Sequence, residues 1–181
     1  PSTIYDPEQC LRSTVAAMTR LDLDPEAVVF EVVESYCIDD MAHLKRIFDR
    51  YRAHGFGVAL DDFGAGFASL VYLREIKFDK VKIDGSLIRE ARHPKGRDML
   101  RGVIKMIEAM KLESVAEYIA TAEDHEAALA LGAGFGQGFY LGRPLSRGGV
   151  LDLLRQHRSR SSGNMDSLLG HHASGRGTLK T

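Results

Sequence analysis

The sequence predicts an α/β fold built on a parallel sheet. Short β-branched segments alternate along the chain with segments whose apolar residues recur at helical spacing, and this alternation is typical of parallel βαβ units. The candidate strands number about five, fewer than the eight of a closed α/β barrel. The chain has 181 residues, of which 44% are hydrophobic, so one domain with a sizeable core is expected.

Two helices and two strands are predicted in the first third of the chain. The helices carry apolar residues at helical spacing, and the strands are short β-branched or apolar segments. The apolar helical positions are Leu11, Val15 and Met18, followed by Met41, Leu44, Phe48 and Tyr51. The predicted elements are a helix at Pro7–Arg20, a strand at Val28–Val33, a helix capped at Gly55 and a strand at Gly57–Asp61.

The remainder continues the alternation as far as Gln156. Predicted strands are Asp79–Asp84, Ser114–Ile119 and a glycine-spaced strand and loop within Gly134–Gly142. Predicted helices are Ala68–Glu75, a long helix that ends near Lys111, Ala122–Leu131 and Arg147–Gln156. Residues 157–181 are rich in Ser, Gly and His without an apolar period, which predicts a disordered tail after a folded region at 1–156.

Composition excludes several classes of protein. The net charge is -1, from 24 basic and 25 acidic residues, which does not suit a protein that binds duplex nucleic acid. Cys10 and Cys37 have no metal-binding or disulfide spacing, so reduced thiols in a cytoplasmic protein are expected. No apolar run reaches the length of a membrane span. A membrane anchor of the parent protein would therefore lie outside this chain, which starts at Pro1 and is expected to be a fragment.

Polar residues lie at or near the ends of all five predicted strands. In chain order they are Glu31 and Glu34, Asp61 and Asp62, Lys82 and Asp84, Glu117, and Gln137. Because functional groups of parallel α/β folds collect where the strands end, these side chains are expected on one rim of the sheet.

Such a group of carboxylates repels itself unless its members bind protons or cations. Oxygen ligands without His or Cys favour Mg²⁺ or Mn²⁺ over Zn²⁺. Strand alternation would aim the adjacent Asp61 and Asp62 in different directions, which suits two closely spaced ions. Two such ions can hold the attacking and leaving oxygens of a phosphodiester, while Lys82 stabilises negative charge in the transition state.

Each residue also has a simpler interpretation. An Asp-Asp pair before Gly is common in turns, and Lys82 or Asp84 could form an ordinary salt bridge. Glu31 and Glu34 could face the preceding loop, Gln137 could brace a loop, and His43 and His125 are expected on helix surfaces. The joint placement at successive strand ends is what favours a metal site.

Four segments together carry a resemblance to a known family. They are FEVVES (Phe30–Ser35), ALDDFGAGFASL (Ala59–Leu70), VKIDGSLI (Val81–Ile88) and AEYIATAEDHEAALALGAGFGQGFYLGRPL (Ala116–Leu145). The chain resembles the EAL-domain family, phosphodiesterases that hydrolyse the bacterial second messenger cyclic di-GMP. The resemblance implies a modified TIM (β/α)8 barrel whose first strands are missing from this chain, with residues 1–156 forming the C-terminal two-thirds of the domain.

The resemblance also implies roles for the polar residues. Glu31 would be a direct metal ligand, and Asp61 and Asp62 would bind the two ions, with Asp61 bridging them. Glu117 would be a further metal ligand or would orient the water. Lys82 would lie beside the attacking water, and Gln137 would reach the metal, water and substrate.

Further roles are structural and regulatory. Glu34 would anchor a mobile loop at Phe63–Ala68, which would link substrate binding, metal occupancy and dimer contacts. The structural residues implied near this loop are Glu34, Phe63, Gly64, Gly66 and Asp84. The implied partners are cyclic di-GMP, a second copy in a homodimer, and sensory or regulatory domains upstream in the parent protein.

Two departures from the family leave alternatives open. The Glu-Ala-Leu signature and an Asn ligand would lie before Pro1, so the 181 residues alone are expected to be inactive and prone to associate. The family usually has Ala-Glu-Gly-Val-Glu where this chain has Ala-Glu-Tyr-Ile-Ala, which places Tyr118 at the Gly and Ala120 at the second Glu. The expected function is metal-dependent hydrolysis of cyclic di-GMP to linear pGpG. The alternative is an inactive domain that acts as a cyclic di-GMP receptor or protein-interaction module.

Overall fold

The computed structural model describes residues 7–33, 41–66 and 69–156. The chain divides into two compact units, Pro1–Gly142 and Arg143–Thr181. Within the second unit, residues 147–156 form a helix, as predicted for Arg147–Gln156. The predicted tail at 157–181 lies outside the described residues.

A five-stranded parallel sheet forms the centre of the first unit, and each strand pairs with the next one along the chain. The strands are β1 (Val29–Val33), β2 (Gly57–Phe63), β3 (Lys80–Ile83), β4 (Glu113–Ala116) and β5 (Phe135–Gly136). This arrangement confirms the predicted parallel α/β architecture.

Helices connect the strands. They are α1 (Pro7–Leu21), α2 (Met41–Ala53), α3 (Ser69–Glu75), α4 (Gly85–Glu90), α5 (Pro94–Ala109) and α6 (Ala122–Leu131), with a short 3₁₀ helix at Pro25–Ala27. Gly55 follows α2 with a φ of 86°, and the amide of Phe56 donates to the carbonyl of Tyr51. This is the left-handed glycine cap predicted for that helix.

Four details of the secondary structure differ from the sequence predictions. Helix α4 was not predicted, and the strand predicted at Ser114–Ile119 ends at Ala116 because Tyr118 has a φ of 53°. The strand predicted within Gly134–Gly142 is confined to β5, and β2 extends two residues beyond Asp61. Positive φ angles at Asp62 and Tyr118, which periodicity does not show, accompany the altered ends of β2 and β4.

The sheet has one apolar face and one face that carries polar side chains. Leu60, Val81 and Ile83 are fully buried, as are Leu100 and Ile107 of α5. Lys82 lies between Val81 and Ile83 and therefore points to the opposite face. Among the described residues, no helix is both long and apolar enough to cross a bilayer.

Asp124 connects the start of α6 to the turn between α4 and α5. Its side chain is 1% exposed, and Oδ1 accepts hydrogen bonds from Nε and Nη2 of Arg92 at 3.1 and 2.8 Å. Oδ2 accepts from the amides of Ala120 and Thr121, while the Thr121 hydroxyl accepts from the Asp124 amide. Asp124 thus completes a capping box and an ion pair at the same time.

We expect Asp124→Ala to lower the free energy of unfolding at pH 7 by about 2–3 kcal/mol, because a helix cap and several buried hydrogen bonds are lost. Burial opposes ionisation of Asp124, but the hydrogen bonds from Arg92 and Thr121 hold its pKa below the usual 3.8. The stabilisation is therefore present above pH 4 and disappears as the pH falls through the lowered pKa. Urea unfolding at pH 7 and at successively lower pH measures the difference.

The matched control is Asp98→Ala on α5, whose side chain is 74% exposed and pairs only with Arg101 three residues later among the contacts described. Asp98→Ala should change the free energy of unfolding by no more than about 0.5 kcal/mol. A loss for Asp124→Ala that does not shrink in acid would contradict the charge-dependent role.

Candidate functional site

Strand β2 contains a bulge at the adjacent aspartates. Leu60 pairs with Val81 and Phe63 with Ile83, so β2 has one more residue than β3 between these pairs. Asp62, which has a φ of 55°, is the extra residue of this bulge. The sequence argument from strict alternation was therefore wrong here, because the bulge turns the two carboxylates toward one region instead of opposite faces.

Three carboxylates converge as a result. One oxygen from each of Asp61, Asp62 and Glu117 lies within 4.8 Å of the other two. Glu117 follows β4 directly, and its amide donates to the carbonyl of Ile83 at 3.1 Å, which holds it against β3. The bulge in β2 and the end of β4 thus bring together three residues that were predicted as metal ligands.

Lys82 lies at the centre of the site. Its Nζ is 3.0 Å from Oε2 of Glu31, 2.9 Å from Oδ1 of Asp61 and 2.9 Å from Oε1 of Glu117. Its side chain is only 9% exposed. Burial opposes the charge of Lys82, but the three carboxylates outweigh burial and raise its pKa above the ordinary value. Lys82 is therefore a permanent cation of the site.

The surroundings favour the charged form of Lys82 but the neutral form of Glu117. Burial raises its pKa to about 7, nearby Lys82 counteracts the rise, and nearby Asp61 adds to it. In the absence of cations, Glu117 is thus partly protonated near neutral pH. The site relieves excess negative charge by holding a proton on its most buried carboxylate.

The residues present fit a divalent cation. With Glu31, Asp61, Asp62 and Glu117 ionised, four negative charges face the single positive charge of Lys82. Oδ1 of Asp61 is buried close to Nζ of Lys82, yet it receives no aligned hydrogen bond from any described residue. A buried carboxylate oxygen with spare capacity in an all-oxygen, negatively charged site is suited to Mg²⁺ or Mn²⁺.

Other predicted site residues occupy different positions. Glu31 joins the site through Lys82 and has a side chain that is 45% exposed. Asp84 is the N-cap of α4, where its Oδ1 accepts from the amide and hydroxyl of Ser86 at 2.9 and 2.6 Å. Burial alone would raise the pKa of Asp84, but the hydrogen bonds from Ser86 lower this pKa below its ordinary value. Glu34 lies outside the described residues.

The start of the predicted loop at Phe63–Ala68 is a tight turn. Phe63 is buried and its carbonyl accepts from the amide of Asp84, while the amide of Ala65 donates to the carbonyl of Asp62. Gly64 has a φ of 95°, and a Cβ there would come within 2.4 Å of the Leu87 side chain. The positive φ favours glycine at this position, and a side chain there would also displace Leu87. Gly66 is exposed, and residues 67 and 68 are outside the described part of the chain.

A cavity of about 340 Å³ lies beside the carboxylates. It is lined by Glu117, Tyr118, Ile119, Ala120, Gln137, Gly138 and Phe139. Gln137 is exposed, and its backbone amide donates to the carbonyl of Ala116, which places it next to β4. Gln137 and Glu117 therefore line the same cavity.

Sequence reasoning did not identify Phe139 as a residue of this region. The glycine spacing of GFGQGFYLG was the available signal, because Gly138 approaches Ile119 so closely that a Cβ would come within 2.1 Å of its carbonyl oxygen. This close packing holds the segment after β5 against the residues that follow β4.

Comparison with known proteins agrees with the resemblance. A sequence profile described as the EAL domain matches residues 1–144. A curated relative, the Cyclic di-GMP phosphodiesterase PdeB of Shewanella oneidensis, is 35% identical over 124 residues, which cover 68% of this chain and 14% of PdeB. The chain thus spans a small part of the length of that relative.

Solved structures share the fold. The EAL domain of Mycobacterium smegmatis DcpA has a TM-score of 0.76 and 29% identity, with 80% of this chain and 66% of that chain covered. A manganese/cy-diGMP complex of Klebsiella pneumoniae BlrP1 has a TM-score of 0.71 and 26% identity, with 77% of this chain and 36% of that chain covered. These likenesses confirm the expected EAL-type, TIM-barrel-like α/β fold, and the profile match over residues 1–144 shows that this chain belongs to the EAL domain family.

Proposed function

We propose that the protein containing this chain is a divalent-metal-dependent phosphodiesterase that hydrolyses cyclic di-GMP to linear pGpG in bacterial signalling. The observation that carries the proposal is the convergence of Asp61, Asp62 and Glu117, of which Asp61 and Glu117 contact the buried Lys82. The printed names of relatives support the substrate, since PdeB is a cyclic di-GMP phosphodiesterase and the BlrP1 complex contains cy-diGMP.

Asp61, Asp62 and Glu117, with Glu31 nearby, are the residues that would hold two Mg²⁺ or Mn²⁺ ions. When bound, such ions supply positive charge for the phosphate oxygens and lower the pKa of a water molecule. Manganese in the BlrP1 complex supports a divalent cation of this kind.

The side chains of this chain have separate parts in the reaction. Lys82 can donate to a non-bridging phosphate oxygen while its other contacts fix Glu117 and Asp61 in place. Glu117, whose cation-free pKa is about 7, is suited to accept or orient a proton of the attacking water. Gln137 would contribute an amide that orients water or substrate beside Glu117.

The overall step adds one water to one phosphodiester. The water oxygen forms a bond to phosphorus, the bond from phosphorus to the 3′ oxygen breaks, and that oxygen leaves with a proton. The second phosphodiester stays intact, so the ring opens to the linear dinucleotide. In-line approach and departure are the geometry that a two-cation phosphodiesterase site favours.

The remaining expectations extend this proposal. We propose homodimerisation near the loop at Phe63–Ala68 and the following helix, upstream regulatory domains, a cytoplasmic location, and a folded region that ends near Gln156 before a disordered tail. Analytical ultracentrifugation of the full-length protein and limited proteolysis of its C-terminus test the dimer and the tail.

The direct test is hydrolysis of cyclic di-GMP by the full-length protein. We expect pGpG to form with Mg²⁺ or Mn²⁺ and not after chelation with EDTA. Chromatography of the nucleotides measures both substrate loss and product. Failure to form pGpG with either ion, by a protein that is folded and binds cations, would overturn the enzymatic proposal.

A second candidate function is a cyclic di-GMP receptor without catalysis. Ala120 supports it, because this exposed residue lines the cavity with a methyl group and contributes no carboxylate. Calorimetry separates the alternatives, since binding without pGpG formation favours the receptor. Absence of cyclic di-GMP binding would favour a protein-interaction role instead.

A further inference from the structure

A second cavity lies at the amino ends of the strands. Its volume of about 640 Å³ falls within the usual range for small-molecule sites. Asp79, directly before β3, and Leu112, directly before β4, line it together with residues of α2 and α3. The amide of Glu113 donates to the carbonyl of Asp79 at 3.0 Å, which holds the starts of β3 and β4 side by side. The converging carboxylates of the candidate site lie at the other end of these strands, so this cavity is separate from that site.

The lining of this cavity carries an excess of positive charge. Its ionisable residues are five cations, Lys45, Arg52, Arg74, Lys77 and Lys111, and three carboxylates, Asp49, Glu75 and Asp79. Two ion pairs of 2.7 Å, from Arg52 to Asp79 and from Arg74 to Glu75, neutralise part of this charge. The other four ionisable side chains form no ion pair or hydrogen bond with any described residue. The cations outnumber the carboxylates by two, although the whole chain has a net charge of -1.

Arg52 is held in a position to bind an anion. Its Nη1 donates to Oδ2 of Asp79 at 2.7 Å, and the same oxygen accepts from the amide of Val58 at 2.8 Å. A guanidinium group has five N–H donors, and Arg52 uses one of them among the contacts described. Its side chain is 33% exposed, so the remaining donors can reach a ligand in the cavity. A fixed, planar guanidinium suits the paired oxygens of a phosphate group.

Basic residues are also common at the carboxyl ends of helices, where they compensate exposed carbonyl groups. Backbone amides already fill that role around this cavity. In α5, the carbonyls of Ile107 and Glu108 accept from the amides of Leu112 and Lys111. Helix α3 ends in a similar way, since the amide of the residue that follows it bonds to a carbonyl of its last turn. The ammonium groups of Lys77 and Lys111 are therefore available to a ligand.

The lining combines these charges with apolar surface. Lys111 has a φ of 61°, a conformation that favours glycine at the end of a helix, and the lysine gives the cavity a positive charge at that position. Lys77 adds another between α3 and β3. The buried side chains of Leu73, Ile76 and Phe78 form an apolar wall. Positive charge beside an apolar wall suits a ligand that has an anionic part and a less polar part.

We propose that this cavity binds a diphosphate group, either as free pyrophosphate or as part of a nucleotide. Lys77 and Lys111 would supply the charge that the protein leaves unpaired, and Arg52 would donate hydrogen bonds to the phosphate oxygens. The apolar wall would contact the nucleoside of a nucleotide. The inference goes beyond the proposed function, since the described lining of this cavity shares no residue with the candidate site.

Calorimetry on the full-length protein tests the proposal. The probes are pyrophosphate and ADP, added after a chelating resin has removed divalent cations, so that the candidate metal site cannot bind phosphate through them. In Lys77→Gln and in Lys111→Gly, we expect the Kd for pyrophosphate to rise by roughly 5- to 30-fold, because each variant loses one charge-assisted hydrogen bond. Sodium chloride should weaken the binding of pyrophosphate to the unsubstituted protein.

Lys95→Gln is the matched control, because Lys95 is an exposed lysine in the first turn of α5, at the opposite end of that helix from Lys111. This variant removes the same charge and should change the Kd by less than about 2-fold. Lys111→Gly should have a thermal unfolding midpoint at or above that of the unsubstituted protein, since glycine suits the φ of 61°. A higher Kd with an intact fold then measures the lost charge.

The outcomes decide both the site and the source of the diphosphate. Tighter binding of ADP than of pyrophosphate would support a nucleotide as the ligand, and equal or weaker binding of ADP would support the free anion. Absence of binding of either probe at millimolar concentration would overturn the proposal. Equal Kd values for pyrophosphate in Lys77→Gln, Lys111→Gly and Lys95→Gln would overturn it too. None of these results depends on hydrolysis of cyclic di-GMP, so the proposed function is tested separately.

Discussion

Asp61→Asn and Asp62→Asn should each lower the rate of cyclic di-GMP hydrolysis by at least about 1,000-fold in the full-length protein, because each removes a charged ligand from the proposed cation site. Asn nearly preserves the size of the side chain, so the expected loss comes from charge and not from packing. Initial rates of pGpG formation across a Mg²⁺ titration measure the effect. A weakened cation response should accompany the lower maximal rate.

Asp84→Asn is the matched control for this substitution. Asp84 follows the neighbouring strand, β3, but its carboxylate caps α4 and bonds to Ser86. Asn is an equally good N-cap, so the rate should change by less than about 3-fold. Equal losses at positions 61 and 84 would contradict the proposed cation site, as would full activity in Asp61→Asn.

These aspartates also show what a sequence can and cannot predict. Their position after a short apolar run predicted a polar rim, because parallel strands end at the same edge of a sheet. Their relative orientation could not be predicted from alternation. It depends on the pairing of Leu60 with Val81 and of Phe63 with Ile83, which leaves an extra residue in β2.

Tyr118 is a second example of this limit. The resemblance identified it as a departure from glycine, and the structure adds the reason why that departure matters, a φ of 53°. A left-handed backbone at a tyrosine cannot be inferred from β propensity, which favours tyrosine in strands. The strand predicted across Ser114–Ile119 therefore extended past its real end at Ala116.

Long-range contacts were the hardest to predict. The Thr121-x-x-Asp124 spacing at the start of α6 is a visible capping signal. The ion pair of Asp124 with Arg92, which lies 32 residues earlier, depends on how α6 packs near the end of α4. Sequence patterns predict which residues can cap or bind metals, whereas the sheet register and helix packing decide which of them meet.

Lys82→Met should have a large effect on both stability and catalysis. In the cation-free protein at pH 8, we expect the free energy of unfolding to fall by about 3 kcal/mol, because the buried ammonium group that neutralises Glu31, Asp61 and Glu117 is lost. Hydrolysis should fall by at least about 100-fold, since the positive charge for the phosphate oxygens is lost with it. Urea unfolding and initial rates measure the two effects.

The destabilisation by Lys82→Met should depend on pH with a definite sign. The folded-state pKa of Glu117 is raised to about 7, and removal of Lys82 takes away the contact that opposes this rise. Glu117 therefore takes up a proton as the pH falls from 8 to 5, which reduces repulsion among the carboxylates. The stability difference from the unsubstituted protein should become smaller toward pH 5, and Mg²⁺ should reduce it at pH 8.

Lys80→Met provides the comparison that isolates the site. Lys80 lies two residues earlier on β3, points to the same face, and pairs with Glu113 and the ring of Phe135. Its side chain is 32% exposed, against 9% for Lys82, so water can compensate for much of its loss. For Lys80→Met we expect the free energy of unfolding to change by no more than about 1 kcal/mol. The rate of hydrolysis should change little. If the two lysines proved equivalent, the central position of Lys82 among the carboxylates would have no functional consequence.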